Sequence, residues 1–445
     1  RRTMNRTARA APAVTRRTLL VGAGAAGASA AGGALAACGT GGATPQQGSK
    51  TLAPATIRFT PANGPGTDVS SFEPLLPQYM AERPNVRVEL EVIPDGGWAK
   101  IDTLLTADTA ADVTRINDDS VYGWGTGGKL THLDPLIAKS LKKDDYFPVE
   151  WQATAVDGKL YSMQPHFGVN LFVYSQTLFE RAGVSAPTDW KQTWSWDTFV
   201  ASMRRIAALG SSAPGAEVFG AYIGGAYMMP MMWGNGVTPL NADETKCTFN
   251  AKEPLEMLTE LEALIHTHRL VTTSDNVALF QATRLGMNFG DAQFGTRMPP
   301  EVRWDLMPPP RSKKAAYQEG FVRTFSLPKA TKELDAAWDF MTWLMQSQAQ
   351  IHLGRAGYGV PGLKAASDPT FKEGILKDKN WKLIPDGLNH DMPLTYNPLA
   401  QAFKAHYNTK APDFFSGKAK AREWLDEGCL NVDTRIRELG WKKKG

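Results

Sequence analysis

The chain is predicted to be an α/β protein, and three observations predict it. From Thr56 onward the apolar residues alternate between a period of two and a helical period. Helix-length segments, rather than tight turns, separate the strand-like ones, which favours parallel neighbours. Finally, 445 residues exceed one ordinary domain and suit two.

Ile57 and Phe59 open the first strand by their spacing. Phe72, Leu75, Leu76, Tyr79 and Met80 recur at helical spacing, and Pro84 ends that helix because it lacks an amide proton. Val86, Val88, Leu90 and Val92 alternate with Arg87, Glu89 and Glu91, a strand with one buried face. Trp98, Ile101, Leu104 and Leu105 return to the helical period, and Asp112 to Ile116 reads as a third strand. Ligands of such open sheets gather beyond the carboxyl ends of the strands, which selects the loops from Thr60 to Asp68 and from Asn117 to Trp124.

Further along, helices are expected from Trp196 to Leu209, Pro254 to Leu270 and Leu334 to Met345. Short strands are expected from Leu160 to Ser162, Phe172 to Tyr174, Leu285 to Phe289 and Phe321 to Leu327. Pro308-Pro309-Pro310 interrupts both periods and is expected to be a crossing between domains.

The formal charge of +4 comes from 49 basic and 45 acidic residues, and it is unevenly placed. Residues 1 to 37 hold Arg1, Arg2, Arg6, Arg9, Arg16 and Arg17 with no Lys, Asp or Glu, so the remainder is slightly acidic. With 42% hydrophobic and 21% charged residues that remainder has ordinary globular composition, which excludes a basic nucleic-acid-binding domain and a disordered polyelectrolyte.

The arginine-rich start reads as a removable export signal. Arg16-Arg17 is a twin-arginine pattern, an uncharged Ala/Gly stretch follows from Leu19 to Ala37, and Leu35-Ala36-Ala37-Cys38 then resembles a lipoprotein cleavage site, with Cys38 as the acylated residue. Residues 38 to 55, rich in Gly, Pro, Thr and Gln, cannot bury a core and read as a flexible tether. Gly22-Ala-Gly24-Ala-Ala-Gly27 imitates a dinucleotide-binding turn, but no strand precedes it and the first acidic residue after it is Asp68.

Several phrases then occur in a telling order. They are "ERPNVRVELEVIP" (82 to 94), "GKLTHLDPLI" (128 to 137), "DGKLYSMQP" (157 to 165), "FVYSQTLFERAGV" (172 to 184), "TWSWDTF" (193 to 199) and "SLPKATKELDAAWDFMTWLM" (326 to 345). In that order the chain resembles the carbohydrate-type extracellular solute-binding proteins, family one, of ABC importers; it departs from their usual wording at Ser175-Gln176. The resemblance implies a two-lobed periplasmic-binding-protein-like fold with a hinge and a cleft. It places lobe 1 at 54–165 plus 309–360 and lobe 2 at 166–308 plus 361–445.

It also implies a function: a non-enzymatic, monomeric receptor, held on the outer face of the membrane by the lipid on Cys38. This receptor captures a sugar or oligosaccharide and hands it to the permease subunits; no cofactor or metal is expected. Sugars need paired donors and acceptors for their hydroxyls and aromatic rings for their C–H faces. The 13 tryptophans, all at or after Trp98, suit that need.

The candidate ligand residues follow from the strand ends and from the resemblance. From the first lobe they are Asn63 and Asp68 in the glycine-rich loop, Asp119, and Trp124; His166 follows the hinge. From the second lobe they are Tyr222, Trp233 beside Gly234-Asn235-Gly236, and Asp291. Arg323 lies in the glycine-rich strand that the resemblance places ahead of Ser326, and Tyr358 at the last crossing. Glu262, His266 and His268 are read as a solvated helix end rather than a metal site, since residues two apart on a helix diverge. Whether Cys247 and Cys429 pair is left open. The alternatives are an exported glycosidase, which needs two facing carboxylates, and a sugar sensor that does not transport.

Overall fold

Ile57 and Phe59 are wholly buried while Arg58 between them is only partly so, and Val86 and Val88 alternate in the same way with exposed Arg87 and Glu89. This alternation sets the register of the first sheet, because a slip of one residue would carry every apolar side chain to the wrong face. The computed structural model describes residues 52–441 apart from 62–66, 94–96, 117–119, 153–154, 213–216, 274–275, 292, 318–319, 323, 375 and 391–397.

In the first lobe β1 (Ala55–Thr60), β2 (Val86–Leu90) and β3 (Val113–Ile116) are parallel in the order β2, β1, β3, with Ile57 opposite Val88 and Phe59 opposite Val113. Parallel neighbours need a crossover. Helices Thr67–Phe72 and Leu76–Glu82 supply the first and Trp98–Thr106 the second. Phe59 meets Phe72 and Phe340 edge-on at 5.4 and 5.0 Å, so helix Leu334–Leu344 seals this core from the far end of the chain. A ribbon of β4 (Ala155–Val156) and β5 (Lys159–Leu160) turns at Asp157-Gly158, both at positive φ. That is the backbone an Asp-Gly hairpin turn requires.

The second sheet is built on β6 (His166–Ser175), whose side chains are buried on both faces apart from Tyr174. Around it lie β7 (Phe219–Tyr222), β8 (Val271–Thr272), β9 (Leu285–Asp291) and β10 (Trp304–Met307), in the order β10, β6, β9, β7, β8. β6 runs antiparallel to β9 and β10, while β7 is parallel to β8 and β9. The last two long helices, Pro398–Phe415 and Ala421–Leu439, complete this core by packing Phe403 and Trp424 with Met231 and Phe249. Cys247 and Cys429 form a disulfide there, with their Cα atoms 5.2 Å apart.

Among the described residues, three segments join the two sheets. Met163 bridges to Phe325 just before β6 begins; β11 (Gly320–Val322) pairs with β6 while β12 (Thr324–Ser326) pairs with β3; and β13 (Val360–Pro361) returns to β6. The triple-proline run is therefore not a crossing. Pro309 accepts a hydrogen bond from the Thr193 hydroxyl, the Arg311 N–H donates to the Trp194 carbonyl at 2.8 Å, and the Ser312 hydroxyl donates to the Met231 carbonyl at 3.0 Å. All three anchor residues 309–312 to the second lobe, and the passage comes between β11 and β12. Prolines end a ladder because they have no N–H to give, and here they end the edge strand β10 rather than the lobe.

Candidate functional site

The two sheets present corresponding ends to the hinge. In the first lobe β1 and β3 are parallel and stop at Thr60 and Ile116. In the second, β7, β8 and β9 stop at Tyr222, Thr272 and Asp291, and Asn170, near the start of β6, lies opposite Asp291. The crossing strands β11 and β13 pair with that same start of β6, at Phe167 to Val169 and at His166. The carboxyl ends of the second sheet therefore face the first lobe, where such sheets place ligands.

Three neutral polar residues, Tyr222, Asn276 and Asn288, lie toward this end, buried or half-buried. The Asn276 Nδ2 donates to the Asn288 Oδ1 at 2.7 Å, and Asn288 is 1% exposed. Register sets Asn288 opposite Tyr222, and Tyr222 opposite Thr272. Tyr222 is half-buried, and burial raises its hydroxyl above the usual range, so it stays a neutral donor and acceptor. A Cβ on Gly224 would come 2.7 Å from the Tyr222 oxygen, so only glycine lets the ring lie where it does. Asn170, Asn276 and Asn288 were not among the sequence candidates; for Asn170 and Asn288 the signal was a lone carboxamide in the apolar runs "HFGVNLFVYS" and "LGMNFGD".

Of the candidates read from sequence, several lie elsewhere than expected. His166 and Tyr358 are wholly buried and edge-on at 5.7 Å, with His166 Nε2 2.7 Å from the Gln350 carbonyl. Their rings fill the hinge and offer no surface to a ligand in this conformation. Trp233 ends helix Gly225–Gly234 and is 8% exposed, edge-on to Phe249 at 6.4 Å; it packs in the second core and has no open ring face. A residue's place beside a loop does not orient its ring: Trp233 turns to apolar partners, and His166 to the Gln350 carbonyl and the Tyr358 ring.

Trp124, in helix Val121–Thr126 after β3, is half-buried, and its indole N–H donates to Asp102 Oδ1 at 3.0 Å within the first lobe. Asn63, Asp119, Arg323, Cys38, Arg16 and Arg17 lie outside the described residues, as do the side chains of Asp68 and Asp291. Glu262 takes Lys420 Nζ at 2.6 Å, and among the described residues no three metal-ligating side chains gather. No described helix is long and apolar enough to cross a membrane.

A family model matches more than half of the chain. The model for bacterial extracellular solute-binding proteins matches residues 63–351. A protein of Brucella abortus named only as a binding protein is 27% identical over 191 residues, 42% of this chain and 45% of its own length, so the chain spans less than half of that relative. An ABC substrate-binding protein of Listeria monocytogenes, solved with cycloalternan, superimposes with a TM-score of 0.74 at 17% identity, covering 87% of this chain and 100% of that one. The GacH receptor of Streptomyces glaucescens, solved unliganded and with acarbose, gives 0.70 at 17% identity over 87% of this chain and 98% of its own. At these identities the likeness carries the fold, a two-lobed one.

Proposed function

Because the chain belongs to the bacterial extracellular solute-binding proteins, we propose that it is the receptor of an ABC importer, capturing a neutral sugar or oligosaccharide between its lobes. On this reading it is held at the outer face of the membrane through Cys38 and passes its ligand to the permease, with no chemistry on the sugar. The observation that carries the reading is the uncharged row at the hinge-facing end of the second sheet, Tyr222, Asn276 and Asn288. Hydroxyls are recognised by such groups, which both donate and accept and which hold no charge to be desolvated.

Tyr222 and Asn276 would hold the ligand from the second lobe with Asp291, and Trp124, Asn63, Asp68 and Asp119 from the first, with Arg323 at the passage between them. Structural neighbours solved with cycloalternan, acarbose and maltose support the class of ligand. A thermal-shift screen with those glycans, maltotriose, mannotriose and tagatose tests it. A rise in melting temperature with at least one, without release of reducing sugar, is expected. A flat response to every glycan would remove sugar from the reading, and turnover would make the protein an enzyme.

A further inference from the structure

β2 is the outer strand of the first sheet, in the order β12, β3, β1, β2, and among the described residues no strand pairs with its far edge. The Ala55 N–H donates to the Asn85 carbonyl at 3.0 Å and the Glu91 N–H to the Phe59 carbonyl at 2.8 Å, so the odd-numbered residues of this stretch turn their backbone groups to β1. Backbone groups alternate in direction along a strand. Those of Val86, Val88 and Leu90 therefore point outward, and of them the Val86 N–H is taken by the Arg83 carbonyl at 2.9 Å. Such an edge is a template for another strand.

The side chains on this edge select the strand it suits. Arg87 and Glu89 are exposed and lie 3.1 Å apart on the outer face, while Val86 and Val88 keep to the core. A second β2 laid antiparallel about a two-fold axis through Val88 sets Arg87 opposite the partner's Glu89 and Glu89 opposite the partner's Arg87, a ring of alternating charge. Moving the axis by one residue sets Arg87 against its own copy, or Glu89 against its own. Glu91, held by Arg58 Nη1 at 2.9 Å, falls opposite the neutral Asn85.

The outward backbone groups fit the same register. Val88 exchanges N–H and carbonyl with the partner's Val88, Leu90 donates its N–H to the partner's Val86 carbonyl, and the Val86 N–H already held by Arg83 is not required. Continued to Val92, which is 44% exposed, the register brings that side chain opposite the partner's Pro84. Pro84 stands with Pro54, Met80 and Val86 at a depression of about 450 Å³, and having no N–H it ends the pairing.

We propose that the outer edge of β2 is a self-association surface whose partner is a second copy of this chain, paired antiparallel about Val88. The passage between the lobes runs through β12, at the opposite edge of the sheet, so the pairing leaves the crossing strands clear. Because the paired strands run opposite ways, the carboxyl ends of the two sheets lie at opposite ends of the joint sheet. One strand edge is a small contact, so the dimer forms at about micromolar concentrations and above, and the chain is the expected monomer when dilute. Nothing in this inference rests on the receptor reading.

The test is sedimentation velocity of the full chain from roughly 5 to roughly 500 µM, over which the wild type should pass from monomer to dimer. Arg87→Glu and Glu89→Arg change exposed side chains only, so the fold survives, and each should raise the dissociation constant roughly tenfold or more by setting like charges opposite each other. The double variant Arg87→Glu/Glu89→Arg should associate as the wild type does, and an equal mixture of the two single variants should form the mixed dimer. Hydrogen exchange at the Val88 and Leu90 amides should slow with concentration in the wild type and the double variant, and not in either single variant. A wild type that stays monomeric throughout would overturn the proposal and leave this edge to a strand of another protein. Single variants that associate as the wild type does would overturn it too, placing the contact on another face, as would a double variant that does not recover. Failure here leaves sugar capture untouched, and a flat glycan screen leaves the strand pairing standing.

Discussion

Cys247 and Cys429 are joined by a disulfide across 182 residues of chain, and the bond fastens the turn after Trp233 to the last long helix. The Cys247 N–H adds a second tie, to Asp433 Oδ1 at 2.8 Å. Both sulfurs sit in a core shared with Phe249, Phe403 and Trp424, so the helix pair that closes the second lobe is held from two sides. Reduction, or Cys429→Ser, should lower the stability of this lobe by about 2–4 kcal/mol. Urea unfolding followed by tryptophan fluorescence, with and without reductant, checks it; identical midpoints would mean that packing alone holds the helices.

The same helix pair carries a pH dependence. His406 is 3% exposed, its Nε2 2.9 Å from the Trp424 carbonyl, and burial pushes its pKa below the ordinary 6.5, followed by the smaller opposing effects of Trp424 and Glu427. A histidine depressed in the folded state is protonated first in the unfolded one. Stability is therefore present above about 6.5 and is lost as pH falls from there through the folded value. Melting temperatures between about pH 7.5 and about pH 5 should decline in the wild type and decline less in His406→Gln. Parallel curves would place the acid sensitivity elsewhere.

Asn276 is the second lobe's test of sugar recognition. Asn276→Ala leaves the Asn288 Oδ1, which is 1% exposed with its residue, without the donor it has at 2.7 Å. Such a buried acceptor costs about 1–3 kcal/mol when unmade. Titration calorimetry with whichever glycan raises the wild-type melting temperature should show binding weakened roughly tenfold or more. Unchanged affinity would take the carboxamide pair out of the site.

How much of this was legible depends on what each residue faces. β1 and β2 could be read because Ile57, Val86 and Val88 alternate with less buried, charged neighbours. β6 was read only from Phe172 to Tyr174, since a strand buried on both faces shows no alternation. Helix Pro398–Phe415 escaped notice; it holds Pro412 and its apolar residues form no single clean stripe. The site was legible to the level of strand ends, and Tyr222 does lie at the end of β7, half-buried. It was not legible in ring direction, and Trp233, His166 and Tyr358 turned into cores. The Cys247–Cys429 pairing is a matter of tertiary approach, on which spacing is silent.

Gly224 and Tyr222 give the most specific test of the proposed cleft. Gly224 has φ −86° and ψ 179°, extended backbone that alanine adopts without strain, so Gly224→Ala acts only through its new methyl. That methyl would lie 2.7 Å from the Tyr222 hydroxyl and 3.1 Å from two ring carbons. Because the crowded atoms are the far end of a side chain, the ring shifts and the backbone does not. The fold should survive, with a melting temperature close to wild type, while glycan affinity falls about tenfold. Tyr222→Phe removes the hydroxyl's hydrogen bonds and should weaken binding by a similar factor. If both act on one group, the double variant binds no worse than the weaker single one. Additive losses in that cycle would mean that Gly224 acts by another route, and an unchanged affinity in Tyr222→Phe would mean that the hydroxyl is not what the ligand meets.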